Sequence, residues 1–300
     1  MDQAASLKQR QLIVTADDFG LTPEINAGII EAHTRGILGS TALLMNGTAT
    51  AEALRLIPKY PKLEVGIHLG IVEGYALGGR VNSLTDELCY FGPERLCLHR
   101  AWPRFLTRYL TGRIRLSELE AELDLQLSQM RAALGTIPFA NGTQHLHLLP
   151  GVTEVVLRLL RKHRVPSLRL PARSLCVPGS WRRRHYNLAL SLLGHRASRL
   201  AHTAGVSTAK FFAGFDVCGR LGTETLCKLL QAMPSGTMEL MTHPGQDCSY
   251  LREHLAEGYK DFNWAGELAA LVAPSTAAAI KLQGIELIQF KDLPNNLSYE

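Results

Sequence analysis

QLIVTADDFG, residues 11–20, decides how the rest of the chain is read. Residues 11–16 are a mostly apolar run of strand length that ends on two carboxylates and a glycine, the pattern of a strand buried on both faces. Thr22 and Pro23 follow as a cap and a first-turn proline. Ile25, Ile29 and Ala32 then recur at helical spacing. A buried strand feeding straight into a helix predicts a parallel sheet with helical crossovers.

The same alternation continues outward. Residues 40–45 (STALLM), 63–69 (LEVGIHL) and 143–149 (TQHLHLL) read as strands, with weaker strands at 167–170, 210–215, 237–241 and 285–290. A helix begins near Ala51. Ser117 and Glu120 form a capping-box pattern ahead of a helix whose face is Leu119, Leu123, Leu127, Met130 and Leu134. Thr153 reads as the cap of the next helix. Seven or eight βα units imply an α/β fold: one distorted (β/α) barrel of parallel strands over residues 1–300. Two stretches break the rhythm, at about 72–115 and 172–205, and read as insertions. The first carries Gly74, Gly78, Gly79, Gly92 and Pro93 and is placed to form a lid.

Bulk composition bounds the possibilities. Of the 300 residues, 46% are hydrophobic and 20% charged, which supports a full core and excludes disorder as the main state. No stretch of about 18 apolar residues predicts a spanning helix, and the polar residues 1–11 do not read as a signal peptide. The six cysteines, at 89, 97, 176, 218, 227 and 248, include no C-x-x-C pair and read as free thiols of a reducing cytoplasm. Neither a phosphate-binding G-x-x-x-x-G-K-[ST] loop, nor a dinucleotide G-x-G-x-x-G, nor a G-x-S-x-G nucleophile elbow is present.

In parallel β/α folds, reactive groups collect at the C-terminal ends of strands. There the sequence puts Asp17–Asp18, Asn46, His68, His145, His147 and His243. Adjacent carboxylates after a buried strand repel each other unless a cation or proton lies between them. Amide hydrolysis uses such a pair, one carboxylate holding a metal and the other taking a proton from water. The plain alternatives stand beside this reading. The pair is also compatible with a helix cap, His68 with a hydrogen-bonded core residue, and His243 with a turn. His145 and His147 alternate on the expected fourth strand, so both would face one side.

Taken together, VTADDFG (14–20), GIHL (66–69), QHLHLLP (144–150) and ELMTHPG (239–245) resemble the YdjC-like carbohydrate deacetylase family, in order, over about residues 11–290. Arg169–Pro171 followed by a long basic insertion is most similar to the hopanoid-associated, HpnK-type branch. The resemblance implies a metal-dependent hydrolase that removes an acetyl group from an N-acetylated sugar. The cofactor would be a divalent cation, Mg2+ or Zn2+. It implies Asp18 and His68 as metal ligands, Asp17 as general base and His243 as the acid for the departing amine. Asn46, His147 and Arg169 are the candidate substrate-binding residues. One position departs from the pattern: Thr143 stands where a ligating histidine is expected. A threonine hydroxyl is a poor ligand beside imidazole. Three outcomes follow: the metal shifts to His145; Asp18, His68 and waters hold it; or the chain is a catalytically inactive carbohydrate-binding barrel.

Residues 158–205 are basic, and WRRRHY (181–186) leads into Leu188, Leu190, Leu192 and Leu193. This segment reads either as an amphipathic helix in peripheral contact with an anionic membrane, at its inner face, or as a solvated helix packed on the barrel. No motif for nucleic acid accompanies the charge.

Overall fold

In the computed structural model, which describes residues 9–79, 82–86, 96–99, 101–176, 184–247, 259 and 261–294, the first strand is the spine of the molecule. β1 (Arg10–Phe19) is buried on both faces from its third residue onward. One edge of β1 pairs with β9 (Gly236–Thr242), from Arg10↔Gly236 to Ala16↔Thr242. Two strands share the other edge. β10 (Ile285–Leu287) takes Arg10 to Leu12, and β2 (Ser40–Leu44) takes Thr15 to Phe19.

Around this spine lie β3 (Glu64–Leu69), β6 (Phe139–Gly142), β7 (Ser167–Leu168) and β8 (Phe211–Ala213), in the sheet order β7-β6-β3-β2-β1-β9-β8. Every pairing in this sheet is parallel, as crossover helices require. The seam between β7 and β8 is stitched by irregular chain: Leu168 N donates to Ser207 O at 2.9 Å and Leu175 N to Phe212 O at 2.8 Å. The sheet therefore curls into the distorted, nearly closed β/α barrel that the sequence predicts.

Helices cover the outside: α1 (Pro23–Arg35), α2 (Thr50–Leu56), α3 (Trp102–Leu110), α4 (Leu116–Leu134), α5 (Val152–Lys162), α6 (Arg184–Thr203), α7 (Thr223–Gln231), α8 (Trp264–Val272) and α9 (Pro274–Leu282). Thr22 caps α1 as expected, its Oγ1 accepting from Ile25 N. The α4 face Leu119, Leu123, Leu127 and Met130 is fully buried. α1 lies so close to the loop after β9 that a Cβ at Gly28 would fall 2.3 Å from Gly245 Cα. Gly28 requires glycine for this approach, which helps set the height of the loop that carries His243. Among the described residues no single helix is long and apolar enough to cross a membrane.

Several local expectations are corrected. The fourth strand is Phe139–Gly142, not residues 143–149. Residues Thr143–Leu148 form an irregular 3-10 segment in which Gln144 and His145 have φ of 52° and 55°. The alternation of histidine and leucine imitates a strand, but His145, Leu146, His147 and Leu148 are all buried, so no period of two exists there. α4 starts at Leu116 with Arg115 at its cap and no side-chain cap, so Ser117 is not the capping residue. Thr153 does not cap α5. Its hydroxyl donates to His147 O at 3.0 Å, and Glu154 instead closes the helix start by accepting from Gly151 N at 2.7 Å. Cys97 is disulfide-bonded, so the cysteines are not uniformly free thiols. Cys89, Cys248, Gly92, Pro93 and residues 181–183 lie outside the described residues.

The first insertion contributes α3 and the antiparallel pair β4 (Thr85–Asp86) and β5 (Cys97–Leu98). The second contributes α6, which packs through Asn187, Leu190, Gly194, Ala197 and Ala201 and leaves Leu188 and Leu192 outward.

Candidate active site

Asp17 and Asp18 stand at a shift of strand register between Ala16 and Phe19. In a regular strand two consecutive side chains point to opposite faces. Here the bulge puts Asp18 at φ 66°, a conformation costing a non-glycine residue about 1–3 kcal/mol. Both carboxyls are thereby brought to one pair of side chains, His68 from β3 and Asn141 from β6. Gly20, at φ 90°, closes the turn: Leu21 N donates to Asp18 O at 3.0 Å and Gly20 N to Asn26 Oδ1 at 2.7 Å.

The hydrogen bonds settle which atoms are free. Asn141 Nδ2 donates to Asp17 Oδ1 at 2.9 Å, since a carboxylate only accepts. Asn141 Oδ1 must then accept, and it lies 2.5 Å from His68 Nδ1. His68 therefore carries its proton on Nδ1 and presents a bare lone pair on Nε2. That lone pair faces Asp18 Oδ1 at 3.5 Å. Burial depresses the His68 pKa, against the opposing effects of Asp17 and Asn141, so a proton on Nε2 is disfavoured. The Asp18 carboxyl and His68 Nε2 thus face each other across 3.5 Å inside the protein, with no other described donor between them.

Asp17 is locked from behind. Arg169 Nη1 and Nη2 donate to its two oxygens at 2.5 and 2.8 Å, and Arg169 Nε donates to Glu239 Oε1 on β9 at 2.6 Å. Burial raises the Asp17 pKa, but the charges of Arg169 and His68 outweigh it and hold the carboxyl well below the usual range. Asp18 is pushed the other way, first by burial, then by the charges of Asp17 and Glu73. Three buried carboxylates, Asp17, Asp18 and Glu239, meet one buried guanidinium. If ionised, they leave two negative charges uncompensated, the charge of one divalent cation.

The remaining candidates divide. Arg169, expected at the substrate, has a fully buried side chain whose guanidinium grips Asp17 and Glu239. In this arrangement it positions Asp17. His147 is also fully buried and holds Arg169 from the other end, its Nε2 3.0 Å from Arg169 O. Burial lowers its pKa to about 4. Asn46 donates through Nδ2 to Glu73 O at 3.1 Å and so braces a loop.

Thr143 Oγ1 accepts from Ile71 N at 3.0 Å and Val72 N at 3.3 Å and donates to Leu69 O at 3.4 Å. Its hydrogen-bonding capacity is full, and it offers nothing to a cation. His145 does not alternate with His147 on a strand. Its ring sits edge-on to Phe212 and Phe215, each at 5.6 Å, and its buried Nδ1 has no partner among the described residues. His243 follows β9, with its backbone N–H 2.5 Å from Glu267 Oε2, its ring 5.3 Å from Phe262, and Cys218 Sγ 3.6 Å from Nδ1.

Among the described residues, no group of three or more His, Cys, Asp and Glu side chains stands ready to hold a metal ion. The Asp18–His68 pair by itself offers a divalent cation one carboxylate oxygen and one oriented imidazole lone pair, at a carboxyl whose raised pKa shows that its ionised form lacks a counter-charge. Two protein ligands leave most of the coordination shell to water, which suits a hard, hydrated cation better than a closed zinc site. Sequence reasoning missed Glu239, Glu73, Tyr259 and Glu267. Glu239 lies inside the quoted stretch ELMTHPG, and Asn141 opens the fourth-strand pattern. Glu73 and Tyr259 carry no local signal.

A parallel β/α barrel with a carboxylate–imidazole centre at the C-terminal ends of β1 and β3 defines the class. The YdjC-like protein family profile matches residues 11–282, and the chain belongs to that family. It is 32% identical over 302 residues to a carbohydrate deacetylase of Mus musculus, covering 94% of each chain. It is 29% identical over 291 residues to a chitooligosaccharide deacetylase of Serratia marcescens, covering 95% of this chain and all of the other. A solved structure from Enterococcus faecalis V583, provisionally named a cellobiose-phosphate cleavage protein, superposes with a TM-score of 0.69 at 22% identity. That match spans 94% of this chain and 98% of the other, and it supports the fold.

Proposed function

We propose that this chain is a carbohydrate N-deacetylase, hydrolysing the acetamide of an N-acetylated sugar with the help of a divalent cation, Mg2+ or Zn2+, held by Asp18 and His68. The names of the relatives support the substrate class. The single observation behind the cation is the 3.5 Å approach of the His68 Nε2 lone pair to Asp18 Oδ1. Such a cation would supply polarisation of the acetyl carbonyl and a lowered pKa for water.

The protein groups do the rest. Asp17 is kept ionised and aimed by Arg169 and Asn141. Its Oδ2 has one donor and keeps a lone pair for a proton of the attacking water. Asn141 fixes the His68 ring and the Asp17 carboxyl together, so the two groups cannot drift apart. His243, held at its backbone by Glu267, supplies the proton without which the sugar amine is a poor leaving group.

The test is acetate release from an N-acetylated chitooligosaccharide, after chelation and after returning each cation. Turnover that survives exhaustive chelation would remove the cation from the mechanism. The specific observation behind a second reading is the saturated hydroxyl of Thr143. Sugar binding with no acetate release under any cation would favour the inactive carbohydrate-binding barrel.

We further propose that the substrate is lipid-linked and that α6 rests on an anionic membrane. Leu188 and Leu192 are 63% and 65% exposed, Tyr186 is exposed, and Trp102 packs edge-on against Tyr186 at 6.4 Å. His195 and Arg199 share the outward face. Sedimentation with anionic vesicles at low salt checks this contact, and no binding there excludes it.

A further inference from the structure

Among the described residues the buried histidines are His68, His99, His145, His147, His163 and His243. Buried polar groups are ordinarily paired, and all but one of these rings conform. His68 reaches Asn141, His99 reaches Ser83 O, His147 reaches Arg169 O, His163 reaches Asp124 and His243 reaches Cys218. His145 is the exception. It is 8% exposed, and neither of its ring nitrogens has a hydrogen-bond partner among the described residues.

His145 follows closely on Asn141, the side chain that holds Asp17 and His68 together. The chain reaches it through two consecutive left-handed residues, Gln144 at φ 52° and His145 itself at φ 55°, a conformation that residues with side chains rarely adopt. Its ring lies edge-on to Phe212 and Phe215, each at 5.6 Å, and 6.0 Å from the ring of His147. Phe212 pairs in register with Glu239, so the two side chains share one face of the sheet. On that face Glu239 accepts from Arg169, and Arg169 grips Asp17. Arg169 Cζ also lies over the Phe212 ring, 5.7 Å from its centroid. His145 thus stands in the barrel mouth on the side of β6 and β8, one aromatic ring away from the guanidinium that holds Asp17.

We propose that His145 is a sugar-contacting, specificity-determining residue: its imidazole hydrogen-bonds a ring hydroxyl of the saccharide, and the half-buried Phe215 packs on the apolar face of the same sugar. The inference rests on the reading of the chain as a carbohydrate N-deacetylase and names a group that reads its sugar. Burial, then the charge of Arg169, holds the His145 pKa well below the usual value. The ring is therefore neutral at neutral pH and carries one N–H and one lone pair. A hydroxyl matches it, because a hydroxyl also donates and accepts. Aromatic edges around a single open polar group also suit a small-molecule site, an apolar wall with few polar anchors. A plain core histidine fits less well, since every other buried histidine described has found a partner. A cation ligand fits less well too, since no group of three or more His, Cys, Asp and Glu side chains forms among the described residues.

The experiment is binding of N,N′-diacetylchitobiose to the full chain after chelation, read by isothermal titration calorimetry, with acetate release measured once a divalent cation is returned. His145→Phe should raise Kd and KM roughly tenfold or more, the loss of one good hydrogen bond, and leave kcat within about threefold. Its melting temperature without sugar should not fall, because a phenyl ring suits Phe212 and Phe215 and removes an unpaired polar group. His145→Gln keeps a donor and an acceptor and should bind the sugar within about threefold of the wild type. Mn2+ binding, read by electron paramagnetic resonance, should be the same in both variants as in the wild type. Wild-type sugar affinity in His145→Phe would overturn the inference. If His145→Phe melts lower, His145→Gln decides: near-normal sugar binding upholds the contact, and binding as weak as in His145→Phe reduces His145 to a structural residue. Loss of Mn2+ binding in the variants would make it a cation ligand instead. A wild type that binds the sugar but releases no acetate under any cation sinks the deacetylase reading and leaves the contact to the binding data. A wild type that binds no sugar overturns both.

Discussion

Two buried carboxylates at opposite ends of the barrel show what separates a structural acid from a functional one. Glu64, at the start of β3, accepts from Ser40 Oγ at 2.9 Å, Phe290 N at 2.8 Å and Lys291 N at 2.8 Å. Both its oxygens are satisfied, and it knits β2 and the C-terminal segment to the bottom of the sheet. Asp18, at the end of β1, is as deeply buried but accepts no hydrogen bond from the described residues and faces an imidazole lone pair instead. Burial and the charges of Asp17 and Glu73 push its pKa up, so an ionised Asp18 is costly without a counter-charge, which is what the proposed cation would supply.

The comparison breaks most decisively at Asp18. Asp18→Asn should lower acetate release by about 10³-fold or more, the loss expected when several kcal/mol of Lewis-acid assistance disappear. The same change should raise the melting temperature in the absence of divalent cations. The new amide can donate to His68 Nε2, and the repulsion from Asp17 and Glu73 disappears. Turnover assays with calorimetry on the chelated protein check both halves. A variant that loses activity and also melts lower would show Asp18 to be a structural acid like Glu64.

Arg169 gives the next largest effect, on stability. Arg169→Met strands Asp17 and Glu239 without the buried guanidinium that they share. Breaking such a pair from one side costs about 3–5 kcal/mol, measurable by urea denaturation. Glu239→Gln, which removes one acid and keeps the Asp17 pair, should cost much less. Equal losses would mean that Arg169 serves the sheet more than the site.

The barrel, and the placement of Asp17–Asp18, His68 and His243 at or near strand ends, are legible in the sequence because each depends on a local pattern, a buried strand ending in a polar group. The partners of Arg169 are not legible in the sequence, for a physical reason. A cation after a strand reads as ligand-facing, and only the tertiary partners Asp17 and Glu239 show that it points inward. The segment 143–148 was misread because buried leucines alternate with histidines whether the chain is extended or tightly turned. Positive φ at Gln144 and His145 leaves no trace in residue type. Glu73 lies in the first insertion and Tyr259 in the chain after β9, and their meeting at 3.1 Å is a contact across 186 residues that no local periodicity encodes.

Glu267 sharpens the contrast through pH. Burial pushes its pKa up to about 7, against the backbone N–H groups of His243, Leu221 and Gly219 that favour the ionised form. A carboxyl raised in the folded state contributes stability fully below its unfolded pKa of about 4.5. That contribution is lost as pH rises toward 7. The buried histidines His68, His145 and His147, whose pKa values burial lowers, pull the other way, so the check is a difference: between pH 4.5 and 7 the stability of Glu267→Gln should fall less, or rise more, than that of the wild type. An unchanged slope in the variant would assign the dependence to other buried acids.

The smallest effect belongs to Glu64, and it completes the contrast. Glu64→Gln retains one accepting oxygen but turns an NH2 group toward one set of its donors, Lys291 N or Phe290 N with Ser40 Oγ. Leaving a buried backbone donor unpaired costs about 1–3 kcal/mol, so the melting temperature should fall modestly. Activity and Mn2+ binding should stay at wild-type levels, because Glu64 lies at the opposite end of β3 from His68. Asp18→Asn and Glu64→Gln are the same chemical change, an acid to its amide, at two buried sites of one sheet. If the first lowers activity while raising stability and the second lowers stability while sparing activity, the division between the two ends of the barrel holds. A loss of Mn2+ affinity in Glu64→Gln would mean that the bottom of β3 transmits to its top and that the two ends are not independent.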